Sequence, residues 1–391
     1  MTWRATCPMD ERLSFIAELK RGKRTMSDLC RLFGISRKSG YKWLARFEQG
    51  GVDALADRSR AALIHPNAMD ARAAAMVLAL RAQHPDWGPQ KLLAHLAPRH
   101  RDVRWPAIST VAALLNRHDL IKPRRTRHRT APYSAPFVQA SAPNELWSAD
   151  FKGQFRTLDA RYCYPLTISD NYSRYLIVCR ALAHPRFILT RPWFERAFRE
   201  FGLPVAIRTD NGVPFASTGL GGLSKLSIWW LKLGIVPERI QVGHPEQNGR
   251  HERLHGTLKR ACAIRANLRT QQHTLERFRV DYNEQRPHRA LADRTPQSVY
   301  RPSPRTFPSR TPRFEYGAEF VVRKVGFNGC ITWHCQEHYL GNVLAGESVG
   351  LFPIAQGRWR IHVGMLAVAE LDQRAQRIEP IDVLIHPPTL H

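Results

Sequence analysis

A chain of 391 residues exceeds what one hydrophobic core ordinarily serves and should divide into domains. Its hydrophobic fraction, 43%, is that of a globular protein. No apolar run approaches the ~18 residues that span a bilayer, and the N-terminus lacks the apolar stretch of a signal peptide, so no membrane role is expected. Against 33 Asp and Glu stand 59 Lys and Arg, a net charge of +26, which implies a polyanionic partner, whether DNA, RNA or an anionic membrane surface, and argues against a small acidic metabolite as sole ligand. The 7 cysteines are scattered and odd in number, which argues against a disulfide framework. Cys330 and Cys335, near His334 and His338, do not have zinc-knuckle spacing.

Residues 10–20 show a helical stripe of Leu13, Ile16, Ala17 and Lys20. A second helix is expected over 26–33, with Leu29, Leu32 and Phe33 apolar. Gly34 makes a turn, Ser36 caps, and a third helix over 37–47 sets Arg37, Lys38, Lys42 and Arg46 beside Trp43, Leu44 and Phe47. This is a helix-turn-helix layout over 1–60, with those four cations as DNA contacts; a plain three-helix bundle is the alternative. Gly40 lies inside the third helix, at a cost of about 1 kcal/mol relative to Ala.

After a linker at 51–66, helices are expected over 71–84, 90–96 and 109–117, with a turn at Trp87-Gly-Pro and with Val111, Leu114 and Leu115 apolar. They form a second helix-turn-helix-like domain over 61–121. The linker 122–140 begins with Lys122, Arg124, Arg125, Arg127 and Arg129 and no apolar anchor. It reads as an extended arm following a DNA backbone, against a plain solvated charge run.

From 141 strands and helices alternate. β-rich runs at 162–169 and 175–181 flank a turn at 170–174. A helix over 191–201 carries Trp193, Phe194, Ala197, Phe198 and Phe201. A short strand over 205–208 ends at Asp210, and helices over 223–233 and 248–264 follow. A mixed α/β sheet with one antiparallel hairpin fits, giving a domain over 141–305. Past Pro302 and Pro304, short strands with Gly/Asn turns such as 326–329 suggest a small all-β barrel over 312–391.

Three acids stand in distinctive contexts. Asp150 lies in Trp147-Ser-Ala-Asp-Phe-Lys152, where alternation sends Asp150 and Trp147 to opposite faces. Asp210 lies in Thr209-Asp-Asn-Gly212 at a strand's C-terminal end, where sites form in α/β sheets. Glu252 lies on a helix with Leu254, Leu258 and Ala261 on its apolar side and Asn248, His255, Gly256 and Lys259 beside it. Carboxylates converging from three elements can hold two Mg²⁺ ions that activate water or a 3′-hydroxyl against a phosphodiester. Any one of them alone reads as a surface or cap residue. Asp170 reads as a turn residue, Asn211 as orienting the loop beside Asp210, and Trp229 and Trp230 as core. Lys152, Arg250, Arg253, Lys259 and Arg260 are candidate phosphate contacts, and His244 and His251 candidate loop hydrogen-bonders.

The acid motifs, with His244-Pro-Glu-Gln-Asn-Gly-Arg-His-Glu252, resemble the Asp-Asp-Glu transposases of bacterial insertion sequences, relatives of retroviral integrases with a ribonuclease-H-like core. The segments 282–291 (Tyr-Asn-Glu-Gln-Arg-Pro-His-Arg-Ala-Leu) and 294–300 fit the same family. The resemblance covers residues 140–305 strongly, and the helix-turn-helix units and C-terminal barrel fit its layout. It implies that Asp150, Asp210 and Glu252 are both catalytic and metal-binding, with two Mg²⁺ ions and Mn²⁺ able to substitute. It implies cleavage at the element's inverted repeats to free a 3′-hydroxyl, then transesterification into target DNA. The implied partners are double-stranded DNA, at element ends and target, and further copies of the chain on that DNA. The implied location is the bacterial cytoplasm, at the nucleoid. Glu246 also shows a spacing from Asp210 known in this superfamily; Glu252 is preferred because it follows the Asn-Gly pair on a helix. Gly256 stands where relatives often carry a basic residue, and the His-His-Cys-Cys zinc module of retroviral integrases is missing. An inactive domesticated DNA-binding protein or repressor, or a ribonuclease-H-like nuclease, are the alternatives.

Overall fold

The structure is a computed structural model describing residues 7–58, 69–121, 140–240 and 249–385. Arg124, Arg125, Arg127 and Arg129 of the arm, and His244, Glu246 and Asn248, lie outside the described residues. The chain divides into two compact units, Met1–Ala68 and Met69–His391.

The first unit contains α1 (Pro8–Lys20), α2 (Met26–Leu32) and α3 (Arg37–Gly50). Thr25 caps α2 by accepting from Asp28 N at 3.3 Å, and Ser36 caps α3 by accepting from Ser39 N at 3.2 Å. Phe15, Ile16, Leu29, Cys30, Trp43 and Leu55 form the core. The stripe expected on α1 is corrected: Leu13 and Ala17 are exposed, as is Leu32 on α2. Arg12 takes that side, its guanidinium 4.0 Å over the Trp43 ring and donating to Leu55 O at 2.8 Å. Gly40 is buried at the α2–α3 crossing, where a Cβ would stand 2.7 Å from Cys30 Sγ and 2.9 Å from Met26 Sδ. Its missing side chain lets the helices approach, which offsets its poor helix propensity.

The second unit opens with α4 (Ala71–Gln83), α5 (Pro89–Leu96) and α6 (Ile108–Arg117), packed around Val77, Trp87, Leu92, Val111 and Leu115. There follow β1 (Leu146–Phe151), β2 (Phe155–Arg156), β3 (Tyr162–Asp170), β4 (Leu176–Leu182), α7 (Phe187–Phe201), β5 (Ala206–Thr209) and α8 (Lys225–Lys232). Next are β6 (Val236–Arg239), α9 (Gly249–Ala261), α10 (Leu268–Glu284) and α11 (Pro296–Val299). β1 pairs antiparallel with β3 and parallel with β5; β3 pairs antiparallel with β4, and β5 parallel with β6. One face of this sheet packs Trp147, Leu166 and Ile168 with Phe194 and Phe198 of α7 and Trp230 of α8. On the other side Leu254 and Leu258 of α9 and Leu275, Phe278 and Tyr282 of α10 pack with Leu176 and Cys179. β2, β6 and α10 go beyond the elements the sequence suggested, and α7 begins earlier than expected, at Phe187.

The C-terminal strands are β7 (Val321–Lys324), β8 (Cys330–Trp333), β9 (Gln336–Tyr339), β10 (Ser348–Ala355), β11 (Arg358–Val363), β12 (Leu366–Asp372) and β13 (Arg377–Ile385). They form an antiparallel sheet ordered β13-β12-β11-β10-β7 and a separate β8–β9 hairpin. The core here combines Val349, Leu351, Ile361 and Val368 with Leu223, Ile228 and Leu231 from α8 and the residues before it.

Candidate active site

Cross-strand register builds the site's floor. Asp150 stands opposite Thr167 and Ser148 opposite Ser169, so these four polar side chains share one face of β1 and β3. Trp147, Ala149 and Ile168 fall on the other face, in the core. α9 lies on the polar face. Thr167 Oγ1 is 2.6 Å from His251 Nε2 and 2.7 Å from His255 Nε2, and His255 Nδ1 is 3.8 Å from Asp150 Oδ2. His251, Leu254 and Leu258 are the buried row of α9, while Glu252, next to that row, is exposed. Two expectations are corrected here. His255 is turned to Asp150 rather than standing beside Glu252, and Ala261 is exposed rather than apolar-side. The buried row drifts around the helix because the helical repeat is not an integer.

Asp210 leaves the C-terminal end of β5 half-buried. Gly212 N donates to its Oδ1 at 3.1 Å, and a Cβ on Gly212 would stand 3.0 Å from Oδ2, so a larger residue there would press on the carboxylate. Asn211 Nδ2 donates to Ile240 O at 2.8 Å, tying this turn to the end of β6. Asp170 is buried and accepts from Asn144 N, Ser173 N and Ser173 Oγ at 2.8, 2.7 and 2.6 Å, which saturates it in the turn before β4. Trp229 and Trp230 are buried in the core.

Burial, and then the charge of Asp210, push the Asp150 carboxyl up to about 7, and Glu252 adds in the same direction. Burial also raises Asp210. His255 is driven down to about 4 by burial and then by Lys152, and His251 well below its usual range by burial and then by His255. Both imidazoles are therefore neutral near pH 7. Among the described residues, the ligand atoms of Asp150, His251 and His255 lie within 4.8 Å of one another, a group that includes neither Asp210 nor Glu252. The two imidazoles are engaged by Thr167, and Asp150 is the member common to both groups.

Cations crowd α9. Arg250 is lowered by burial and then by the charges of Arg208 and Arg253, and Arg174 is lowered to about 10 by burial and then by Arg250. Lys152 is lowered by burial and then by Lys259. Arg253 and Lys259 are exposed, and Arg250 donates to Asn171 O at 3.4 Å. Arg260, next to Lys259, is exposed as well. In the first unit Arg37, Lys38 and Lys42 are exposed, and Lys42 and Arg46 lie 4.3 and 4.9 Å from the Trp43 ring. A separate cleft of about 400 Å³, lined by Arg180, Trp193, Arg196, Gln272 and Glu276 among others, contains none of the three acids.

Comparison with known proteins agrees with the fold. Residues 140–245 and 233–296 each match a family described as an integrase core domain. Residues 11–62 match a helix-turn-helix domain, and residues 39–115 a homeodomain-like domain. Residues that match helix-turn-helix domains thus stand ahead of an integrase-like core over residues 140–296. The chain is also similar to proteins of bacterial insertion elements. A protein of IS407 from Burkholderia multivorans is 30% identical over 178 residues, 44% of this chain and 60% of its own length. A protein of IS476 from Xanthomonas euvesicatoria is 29% identical over 175 residues, 43% of this chain and 47% of its own length. The chain thus spans about half the length of these relatives. The HTLV-2 integrase catalytic core in complex with magnesium aligns at 15% identity over 41% of this chain and 97% of its own, with a TM-score of 0.32. A simian T-cell lymphotropic virus intasome aligns at 14% over 73% and 91%, with a TM-score of 0.37. Likenesses this slight do not bear on function. No helix among the described residues is long and apolar enough to cross a membrane.

Proposed function

We propose that the chain is a DNA transposase of the Asp-Asp-Glu type. It binds the inverted repeats of its element, cleaves there to free a 3′-hydroxyl, and joins that hydroxyl to target DNA. One observation carries the reading. A carboxyl raised to about 7 by burial and by two further acids belongs to a trio sharing one field, in a chain of net charge +26. Such a trio is relieved by a cation. Its donor atoms are all oxygen, which fits a hard divalent ion such as Mg²⁺, with Mn²⁺ as a substitute. Two bound ions would supply Lewis-acid activation of the attacking oxygen and neutralise charge at the leaving one.

The chain's own groups do the rest. Asp150 and Asp210, fixed by the sheet, are the rigid members of the site, and Glu252, exposed on α9, the adjustable one. Lys152, Arg250, Arg253 and Lys259 draw the phosphate backbone across the acids. In the first step a water oxygen bonds to phosphorus at the element's end and the P–O3′ bond breaks, leaving the 3′-hydroxyl. In the second, that hydroxyl bonds to a target phosphorus and the target's own 3′-oxygen leaves. One ester replaces another, without a covalent bond to the protein. Arg37, Lys38, Lys42 and Arg46 of α3, the helices α4–α6 and the arm with Arg124, Arg125, Arg127 and Arg129 hold the ends. Joining two ends requires several copies of the chain on DNA, in the cytoplasm at the nucleoid. The C-terminal strands make up a small all-β domain of the same assembly.

The test uses labelled DNA from either side of the chain's own gene, with Mg²⁺. Wild type should produce 3′-hydroxyl ends and joined products. Asp150→Asn, Asp210→Asn and Glu252→Gln should each abolish both while end binding stays within a few-fold. Binding with no cleavage in Mg²⁺ or Mn²⁺ would make the chain a repressor, and cleavage without joining a nuclease. Loss of activity in Glu246→Gln but not in Glu252→Gln would move the third acid.

A further inference from the structure

The surroundings of the segment 282–291 give it a role. The turn between α4 and α5 and the first residues of α5 sit against the end of α10 and the loop after it. Arg286 Nη1 lies 2.8 Å from Asp86 Oδ2, with the two side chains 7% and 16% exposed. Gln90 Nε2 donates to Asp293 Oδ2 at 2.9 Å, and His95 Nδ1 is 3.2 Å from Gln285 O. His84 Nδ1 lies 3.6 Å from Asp281, with its ring stacked on the fully buried Trp87 at 3.9 Å. These bonds tie the helical module to the catalytic core. The same α10 packs on β4 through Leu275 and Phe278, and its Asn283 exchanges both amide hydrogen bonds with the Leu176 backbone at 2.8 and 3.0 Å. The docking platform is thus continuous with the sheet that carries Asp150 and Asp210.

This arrangement leaves α6 outward. Its Val111, Leu114 and Leu115 are buried in the module, and Ser109, Ala113, Asn116 and Arg117 are on its more open side. Their spacing puts them along one side of the helix. Small side chains with a serine, an asparagine and an arginine on one face suit a helix that enters the major groove and reaches base edges.

Resting on the transposase reading above, we infer that the Asp86–Arg286 pair locks the α4–α6 module to the catalytic core, so that the bases read by α6 lie a fixed distance from the phosphodiester that is cut. Asp86 and Arg286 are positioning residues. The lock is sensitive to loss of Asp86 in particular. Burial and then the charge of Arg286 hold Lys91 of α5 down to about 8, so without the carboxylate two cations face each other across the interface.

The experiment compares the full chain with Asp86→Asn, Arg286→Gln and the exchange Asp86→Arg/Arg286→Asp. Cleavage is mapped to the nucleotide on end DNA and on the same DNA with base pairs inserted between recognition sequence and cut site. Wild type should cut one position and lose activity on the lengthened DNA. Asp86→Asn should bind ends within about threefold, lose about tenfold or more of cleavage at that position, and spread its cuts to neighbouring phosphates. The exchange should recover position and most of the rate. A thermal-unfolding double-mutant cycle from Asp86→Asn, Arg286→Gln and the two combined reads the ion pair without DNA, and zero coupling overturns the inference. So does an Asp86→Asn protein that cuts the wild-type nucleotide at the wild-type rate. A wild type that shows the coupling yet cuts no end DNA overturns both the inference and the reading beneath it.

Discussion

Thr167 stands opposite Asp150 in the β1–β3 ladder and donates its hydroxyl proton to the Asp150 carbonyl at 3.1 Å. The same hydroxyl oxygen lies 2.6 and 2.7 Å from Nε2 of His251 and His255, so three groups meet on it. His255 Nδ1 lies 3.8 Å from Asp150 Oδ2. The neutral His pair is a scaffold that fixes α9 on the sheet.

Thr167→Val should remove the hydroxyl shared by the His251 and His255 imidazoles while keeping the shape. The expected cost is roughly 2–4 kcal/mol, seen as a lowered midpoint of thermal unfolding, and Thr167→Ser should restore most of it. A Val variant as stable as wild type would show that α9 does not depend on this hydroxyl.

Asp150 should trade stability for chemistry. Its folded value of about 7 exceeds the ordinary 3.8 of an unfolded chain, so between those values folding holds a proton that the unfolded chain has released. The penalty is absent below 3.8, grows as pH rises, and is complete above about 7, reaching at most about 4 kcal/mol. In cation-free buffer at pH 8, Asp150→Asn should melt above wild type, and the two should converge near pH 4. Added Mg²⁺ should raise the wild-type midpoint and leave the Asn variant almost unmoved. Equal midpoints at pH 8 would contradict the shared field of the three acids.

Gly40→Ala sets two effects against each other. Helix propensity alone would stabilise α3 by about 1 kcal/mol. The new methyl would stand 2.7 Å from Cys30 Sγ and 3.1 Å from the Phe15 ring, and overpacking of this kind costs about 1–3 kcal/mol. Packing should win, with net destabilisation of the first unit by circular dichroism and weaker end binding. A more stable Ala variant would mean that α2 and α3 move apart freely.

Replacing Arg124, Arg125, Arg127 and Arg129 by Ala should weaken binding to end and random DNA by similar factors. It should flatten the log affinity–log salt slope by ~0.9 for every phosphate the arm no longer neutralises. An unchanged slope makes the arm a passive tether, and a vanished preference for ends makes it a reader of bases.

Much of the site was legible locally. The strand-to-turn context of Asp210, the alternation separating Asp150 from Trp147, and the capping signal at Ser36 are short-range, and short-range physics shaped them. The floor of Thr167, His251 and His255 was not legible, although His251 and His255 are four apart in step with Leu254 and Leu258. Seeing it requires the register of β3 against β1, which no spacing in either strand reveals. α10 is a different case. Its Asn267/Thr270 capping box and the spacing of Leu275, Phe278 and Tyr282 announce a helix, but its polar remainder dilutes that signal beside the sharper signature at its end. The salt bridge between Asp86 and Arg286 joins distant stretches, and nothing local to either residue announces the other.

α8 has no solvent side to spare. Leu226, Trp229 and Trp230 face the catalytic sheet's core, while Ile228 and Leu231 help fill the core of the C-terminal sheet. The Pro-rich stretch past residue 302 looks like a convenient place to cut the protein in two, but a fragment ending there would be born with a bare, oily flank. It should clump on expression unless that flank is repainted with polar side chains. The two modules should therefore melt as one, and a lesion deep in the C-terminal sheet should loosen the sheet that carries Asp150.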